Sequence, residues 1–332
     1  MSNEFIGQEK IKNLFFTSIK NKTLGHCYAL EGEKGMGKSR MSELVGQMAV
    51  CENHNACGTC KSCIMAQAGT HPDIEHITPE EGKRTIGVEV VRKMISGIYI
   101  RPYVAERKVI IINNFELAMP QAQNAILKVL EEPPEYVLFL LTVSSEKDML
   151  DTVKSRCVML KMQPYSKAEI HRALSEKTKL LPAEIEFAAA YSGGNIGKAF
   201  EIAENENFAE IRREAMEALT ELTHNNNIMP LVNITGKDRS GDIDTTLECI
   251  TSFLRDIALI KMGLNDSVIN IDYTEQLEKA ASKVIPQKLV DSILVMLETR
   301  DILKRNINYN LAVSCAVLCS LERLCRTDIQ KG

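Results

Sequence analysis

The chain has 332 residues, 45% of them hydrophobic and 25% charged, with a formal net charge of −4 at pH 7. That length accommodates two or three domains, each with its own core, and the charge leaves only local basic stretches, such as Lys83-Arg84 and Arg101 to Lys108, for contact with nucleic acid. No apolar run reaches the ~18 residues of a membrane span, and MSNEFIGQEK lacks an apolar signal-peptide core, so the expectation is a cytoplasmic protein without a membrane partner.

HCYALEG (26–32) reads as a strand running into a turn, and SRMSELVGQMAV (39–50) as a helix. Between them GEKGMGKS (32–39) satisfies the phosphate-loop pattern G-x-x-x-x-G-K-[ST] in the strand–loop–helix context that gives the pattern meaning. Gly32, Gly35 and Gly37 let the backbone N–H groups turn inward on a phosphate, and the helix starting near Lys38 adds its positive dipole end. Lys38 is placed to reach the β- and γ-phosphates of ATP or ADP, and Ser39 to hold Mg²⁺. The competing reading is a Gly-rich surface turn with an exposed lysine.

The next feature is CENHNACGTCKSC, a C-x5-C-x2-C-x2-C array of Cys51, Cys57, Cys60 and Cys63. Four thiolates this close in sequence can converge on one tetrahedral Zn²⁺ with no open coordination position, which makes a structural site. His54 would be a fifth candidate for four places and is left out. A C-x-x-C redox pair or four unligated thiols remain as alternatives. The other cysteines, Cys27, Cys157, Cys249, Cys315, Cys319 and Cys325, are scattered through apolar segments and read as small buried hydrophobes of a reducing compartment.

Farther on, DIEHI (73–77), KVIIIN (108–113), YVLFLLT (136–142) and CVMLK (157–161) read as strands. VEVVRKMISGI (88–98) and MPQAQNAILKVLEE (119–132) read as helices, the second stopped by Pro133-Pro134. Continuous apolar strands alternating with helices indicate an α/β parallel sheet covered on both faces. A strand end beside a phosphate loop is where an ATPase keeps its acids, but the chain has Asn113 and Asn114 there. An amide takes no proton at neutral pH and brings no charge to Mg²⁺, so Mg²⁺ should be weakly held or absent. Losing a general base costs about 10² to 10⁴ in rate, which predicts nucleotide binding with negligible turnover. Both amides are equally suited to capping the following helix. After Pro164 the strands stop: helices are expected at 167–177, 182–191 and 195–204, and the pattern stays helical from 207 on. The uncharged run 308–321 is expected to be buried in a helical core or against another subunit.

FIGQEKIKN (5–13), GHCYALEGEKGMGKS (25–39), the four-cysteine insert, AQNAILKVLEEPP (122–134), KSRC (154–157) and, more weakly, NINYNL (306–311) together resemble the AAA+ clamp-loader family of bacterial DNA polymerase III, specifically its delta-prime branch. The resemblance is strong over roughly the first 205 residues and weak beyond. It implies three domains: a RecA-like nucleotide-binding domain over 1–165 carrying the 51–63 insert, a small helical lid over 166–205, and an all-α collar over 206–332. It also implies partners, namely gamma/tau-type ATPases and delta in a five-membered ring, with the sliding clamp and primer-template DNA met through that complex. In the family, the arginine of the SRC motif enters the neighbour's ATP site; here that residue is Arg156, which read without the family is an ordinary surface charge. Lys198 stands where nucleotide-binding members often carry a lid arginine. A gamma/tau-type motor and a stand-alone nucleotide-binding regulator or DNA-binding scaffold are the rival readings.

Overall fold

The computed structural model describes residues 5–236 and 243–303. The chain divides between Ala203 and Glu204 into two compact units.

The first unit is built on five parallel strands, β1 (Cys27–Glu31), β2 (Ile74–Ile77), β3 (Lys108–Ile112), β4 (Val137–Val143) and β5 (Val158–Lys161), in the order β2-β3-β4-β1-β5. All seven β4 residues are buried, as an unbroken apolar run requires when helices cover both faces. Successive side chains point to opposite faces. Val109 and Ile111 join one core with α1 (Glu9–Lys20) and α2 (Lys38–Val50). Ile110 and Ile112 join the other with α4 (Val88–Ile98) and α5 (Pro120–Glu131). Short helices α3 (Lys61–Gln67) and α6 (Asp151–Lys154) complete the set around the sheet. Pro120 opens α5, where its missing N–H is no loss, and Pro133-Pro134 follows its end.

The expected strands and long helices are all present, with ends shifted by a residue or so. Helix α1 was not among them, although Ile11, Phe15 and Ile19 recur every four residues and are all buried. Helices α7 (Lys167–Lys177), α8 (Pro182–Tyr191) and α9 (Ile196–Glu204) follow the sheet, and Ile170, Leu174 and Ala199 add to the α1/α2 core. A capping box between Ser166 and Glu169 starts α7.

The second unit is helical throughout its described residues: α10 (Phe208–Asn225), α11 (Met229–Gly236), α12 (Ile243–Lys261), α13 (Thr274–Lys283) and α14 (Pro286–Leu303), with two short 3-10 turns. Helix α12 is central and packs against α10, α11, α13 and α14. A buried polar knot pins the 3-10 segment to it: Arg212 donates to Asn270 and Asp272, and Asp256 accepts from the Ile269 and Asn270 amides. The uncharged segment 308–321, the NINYNL stretch and Cys315, Cys319 and Cys325 lie outside the described residues. Among the described residues no helix is long and apolar enough to cross a membrane.

Candidate functional site

The loop between β1 and α2 lies at the carboxyl end of the sheet, next to β4; the Gly32 amide donates to the Val143 carbonyl at 3.2 Å. Gly35 (φ +90°) and Gly37 (φ +82°) take backbone conformations that side-chain-bearing residues avoid, which turns the loop around its own amides. Gly37 is the N-cap of α2, so the unsatisfied first-turn N–H groups of that helix face the loop. Lys38 is only 6% exposed, and its Nζ donates to the carbonyls of Gly32 (2.6 Å) and Glu33 (3.0 Å). Burial lowers its pKa below the usual lysine value, while the Glu116 and Glu33 carboxylates pull it back up. The cation thus rests on the loop's own oxygens, ready to exchange them for phosphate oxygens. Ser39 is half-buried at the start of α2, and its hydroxyl is the group there that could help to hold a divalent metal.

The start of α9 is fastened onto this loop. The Gly197 amide donates to the Gly35 carbonyl at 2.8 Å, and Asn195 Nδ2 donates to the Lys34 carbonyl at 2.8 Å. Tyr165 adds a third clasp, its hydroxyl donating to the Met36 carbonyl at 3.2 Å. Burial pushes that phenol up to about 12, so it remains a donor at any ordinary pH. The residue of α9 that meets the loop is therefore Gly197; the ammonium of Lys198 lies 4.7 Å from the centre of the Tyr191 ring. A Cβ on Gly197 would lie 2.6 Å from the Gly35 Cα, a backbone atom with no room to swing aside. Gly197→Ala should accordingly destabilise the first unit by about 1–3 kcal/mol, read as a lower denaturant midpoint, whereas an unchanged midpoint would mean that the clasp is not tight.

At the end of β3 the two amides behave differently. Asn113 Oδ1 accepts from Ser42 Oγ of α2 and from Thr142 Oγ1 of β4, each at 3.4 Å. Asn114 adopts a left-handed conformation (φ +53°) ahead of the 3-10 turn Phe115–Leu117 and is exposed. It occupies the cap position, but its side chain makes no capping bond; its backbone N–H instead donates to Thr142 Oγ1 at 2.9 Å. Sequence reasoning missed the carboxylate that follows. Glu116, on that turn, accepts from Ser144 Oγ at 2.6 Å, and its Oε2 is buried with no hydrogen-bond partner. An acid two residues past the expected position, just before a helix, was the available signal.

Arg156 follows α6, well apart in sequence from the phosphate loop. Its Nη2 is paired with Glu131 at the end of α5, and its Nη1 donates to the Thr152 carbonyl (2.7 Å) and Ser155 Oγ (3.2 Å). Nε is buried without a partner, while 31% of the side chain remains exposed. The guanidinium is thus oriented at a partly open surface.

The four cysteines converge: Cys51, Cys57, Cys60 and Cys63 place their Sγ atoms within 4.8 Å of one another, a set able to hold a metal ion. The Cys51–Cys57, Cys57–Cys63 and Cys51–Cys60 sulfur separations are 3.7, 3.9 and 3.9 Å. Tetrahedral zinc with Zn–S bonds of about 2.3 Å requires sulfur atoms about 3.8 Å apart, so the spacing fits. The Cys60 and Cys63 amides each donate to a sulfur at 3.4 Å, Cys57 and Cys60 respectively. Hydrogen bonds from Thr59 and from backbone amides pull Cys57 down to about 5, while burial pushes Cys63 up to about 12. A metal would have to displace the Cys63 proton. His54 is not one of the four.

Comparison with known proteins adds a lineage to this geometry. The family model described as "DNA polymerase III, delta subunit" matches residues 7–166, and that described as "DNA polymerase III, delta subunit, C terminal" matches residues 206–318. The DNA polymerase III subunit delta' of Bacillus subtilis (strain 168) is 26% identical over 314 residues, covering 91% of this chain and 92% of that protein. Its counterpart from Pseudomonas aeruginosa is 35% identical over 178 residues, 51% of this chain and 53% of the relative. The DNA polymerase III subunit tau/gamma of Haemophilus influenzae is 30% identical over 175 residues, 52% of this chain and 25% of that protein.

Proposed function

The chain belongs to the DNA polymerase III delta-subunit family, with a clamp-loader role, and on that premise we propose that it is a delta-prime-type subunit that grips nucleotide without hydrolysing it and lends its arginine to a neighbour. The observation that carries this reading is the pairing of a complete Gly32–Ser39 cradle with amides, Asn113 and Asn114, at the end of β3.

The amides about Gly35 and Gly37 and the N-terminus of α2 bind the phosphates of ATP or ADP. Lys38 exchanges two carbonyl partners for phosphate oxygens. Ser39 is the residue that would hold Mg²⁺, whose chemistry is to neutralise phosphate charge. Asn113 is engaged with Ser42 and Thr142 and accepts no proton, so the attacking water goes unactivated. Arg156 provides the planar cation that stabilises a γ-phosphoryl group across a subunit boundary. Cys51, Cys57, Cys60 and Cys63 hold one structural Zn²⁺ that stiffens the insert. The partners are gamma/tau-type ATPases and delta in a five-membered ring, with the second unit as the collar; the clamp and primer-template DNA are engaged through the assembled complex in the cytoplasm.

Nucleotide binding is tested with a fluorescent ADP analogue. Lys38→Ala should weaken binding at least about tenfold, a loss of ~1.4 kcal/mol or more, with the fold intact. Equal affinity in both proteins, or none in the wild type, would contradict the reading.

A further inference from the structure

The carboxylate of Glu116 is a charge that the proposed function does not use. It sits on the 3-10 turn that follows β3, one residue beyond the buried Phe115. Ser144, the residue after β4, holds one of its oxygens at 2.6 Å. The other oxygen, Oε2, is buried and has no partner among the described residues. Leaving a carboxylate oxygen unpaired away from water is costly, and such a group waits for a cation or a donor. The neighbouring groups at the ends of β3 and β4, Asn113 and Thr142, are neutral and bonded to each other. Of the other acids close to the cradle, Glu33 is exposed, where water screens it, and Glu31 at the end of β1 accepts from the Glu146 amide at 3.2 Å.

We propose that Glu116 makes nucleotide binding in the Gly32–Ser39 cradle depend on magnesium, its half-free carboxylate repelling a bare polyphosphate and favouring the magnesium complex. The inference rests on the cradle binding nucleotide. Its logic is a balance of charge: ADP and ATP bring several negative charges to a cradle with one buried cation, Lys38, and Glu116 is held beside it by Ser144, which follows Val143, whose carbonyl accepts from the Gly32 amide. One further negative charge beside the cradle opposes the free nucleotide, and a divalent cation reverses that opposition. Glu116 thus restores, from two residues farther along, part of the charge that Asn113 and Asn114 omit. It is a positioning and selectivity residue for the metal–nucleotide complex.

The test titrates the fluorescent ADP analogue into the full-length wild type, Glu116→Gln and Glu116→Asp, each in excess magnesium and in EDTA. Glutamine is isosteric and keeps an oxygen for Ser144, and aspartate keeps the charge. Wild type should bind at least about tenfold more tightly with magnesium. In Glu116→Gln that preference should fall below about threefold, chiefly through tighter binding in EDTA, and Glu116→Asp should retain most of it. A wild-type preference undiminished in Glu116→Gln would overturn the inference while leaving the cradle reading intact. Absence of binding by all three proteins in both conditions would overturn both.

Discussion

Arg156→Ala should slow ATP hydrolysis by the adjacent motor subunit of the assembled complex by about 10³-fold or more, with assembly unchanged. Magnitudes decide whether the finger is available. Within the chain Arg156 is paired with Glu131, but the two side chains are 31% and 51% exposed. An ion pair that open is worth about 0–1 kcal/mol. An arginine finger is worth roughly 10³–10⁵ in rate, or about 4–7 kcal/mol of transition-state stabilisation. On the proposed role, a partner's γ-phosphoryl group would outcompete Glu131, and the Thr152 and Ser155 contacts would aim the guanidinium. Steady-state hydrolysis by complexes reconstituted with wild-type or variant subunit is the measurement. Equal rates from fully assembled complexes would rule out the finger.

Cys60→Ser should abolish metal binding. Three thiolates and a neutral hydroxyl make a poor tetrahedral site for zinc, and the Cys63 amide loses its sulfur acceptor. The metal content should drop from about one equivalent per chain to a small fraction of that. Residues 51–67 should become sensitive to protease, because α3 has only seven residues and its N-cap is Cys60 itself. The parallel sheet should persist, since its two cores are assembled from the strands, α1, α2, α4 and α5. Elemental analysis with limited proteolysis reads both effects, and a wild type free of bound metal would contradict the zinc assignment.

What the sequence made legible follows the range of each signal. Strands β3 and β4 stand out because a strand buried on both faces must be apolar along its whole length. The cysteine cluster is legible because its four ligands fall within thirteen residues, so that chain spacing nearly determines geometry. Helix α3, by contrast, is too short to display a period, and its one cysteine, Cys63, belongs to the cluster together with its N-cap, Cys60. The clasp of α9 on the phosphate loop was out of reach: residues more than 150 positions apart come within hydrogen-bonding distance, and the contact requires two glycines, whose only signature is the absence of a side chain. Lys198 invited attention as a cation, yet it lies against Tyr191 while its neighbour Gly197 meets the loop. Glu116 is not legible in the sequence because it lies beyond the two residues that follow β3; only the folded turn places an acid there with one oxygen unpaired.

The central claim is that phosphate is gripped here while the chemistry takes place next door. Steady-state ATP turnover by the purified, zinc-replete polypeptide, alone and at saturating nucleotide and magnesium, tests it most directly. The expected rate is that of the Lys38→Ala control, alongside measurable nucleotide binding. Turnover well above that control would mean that this chain readies water by itself, contrary to what Asn113 and Asn114 imply.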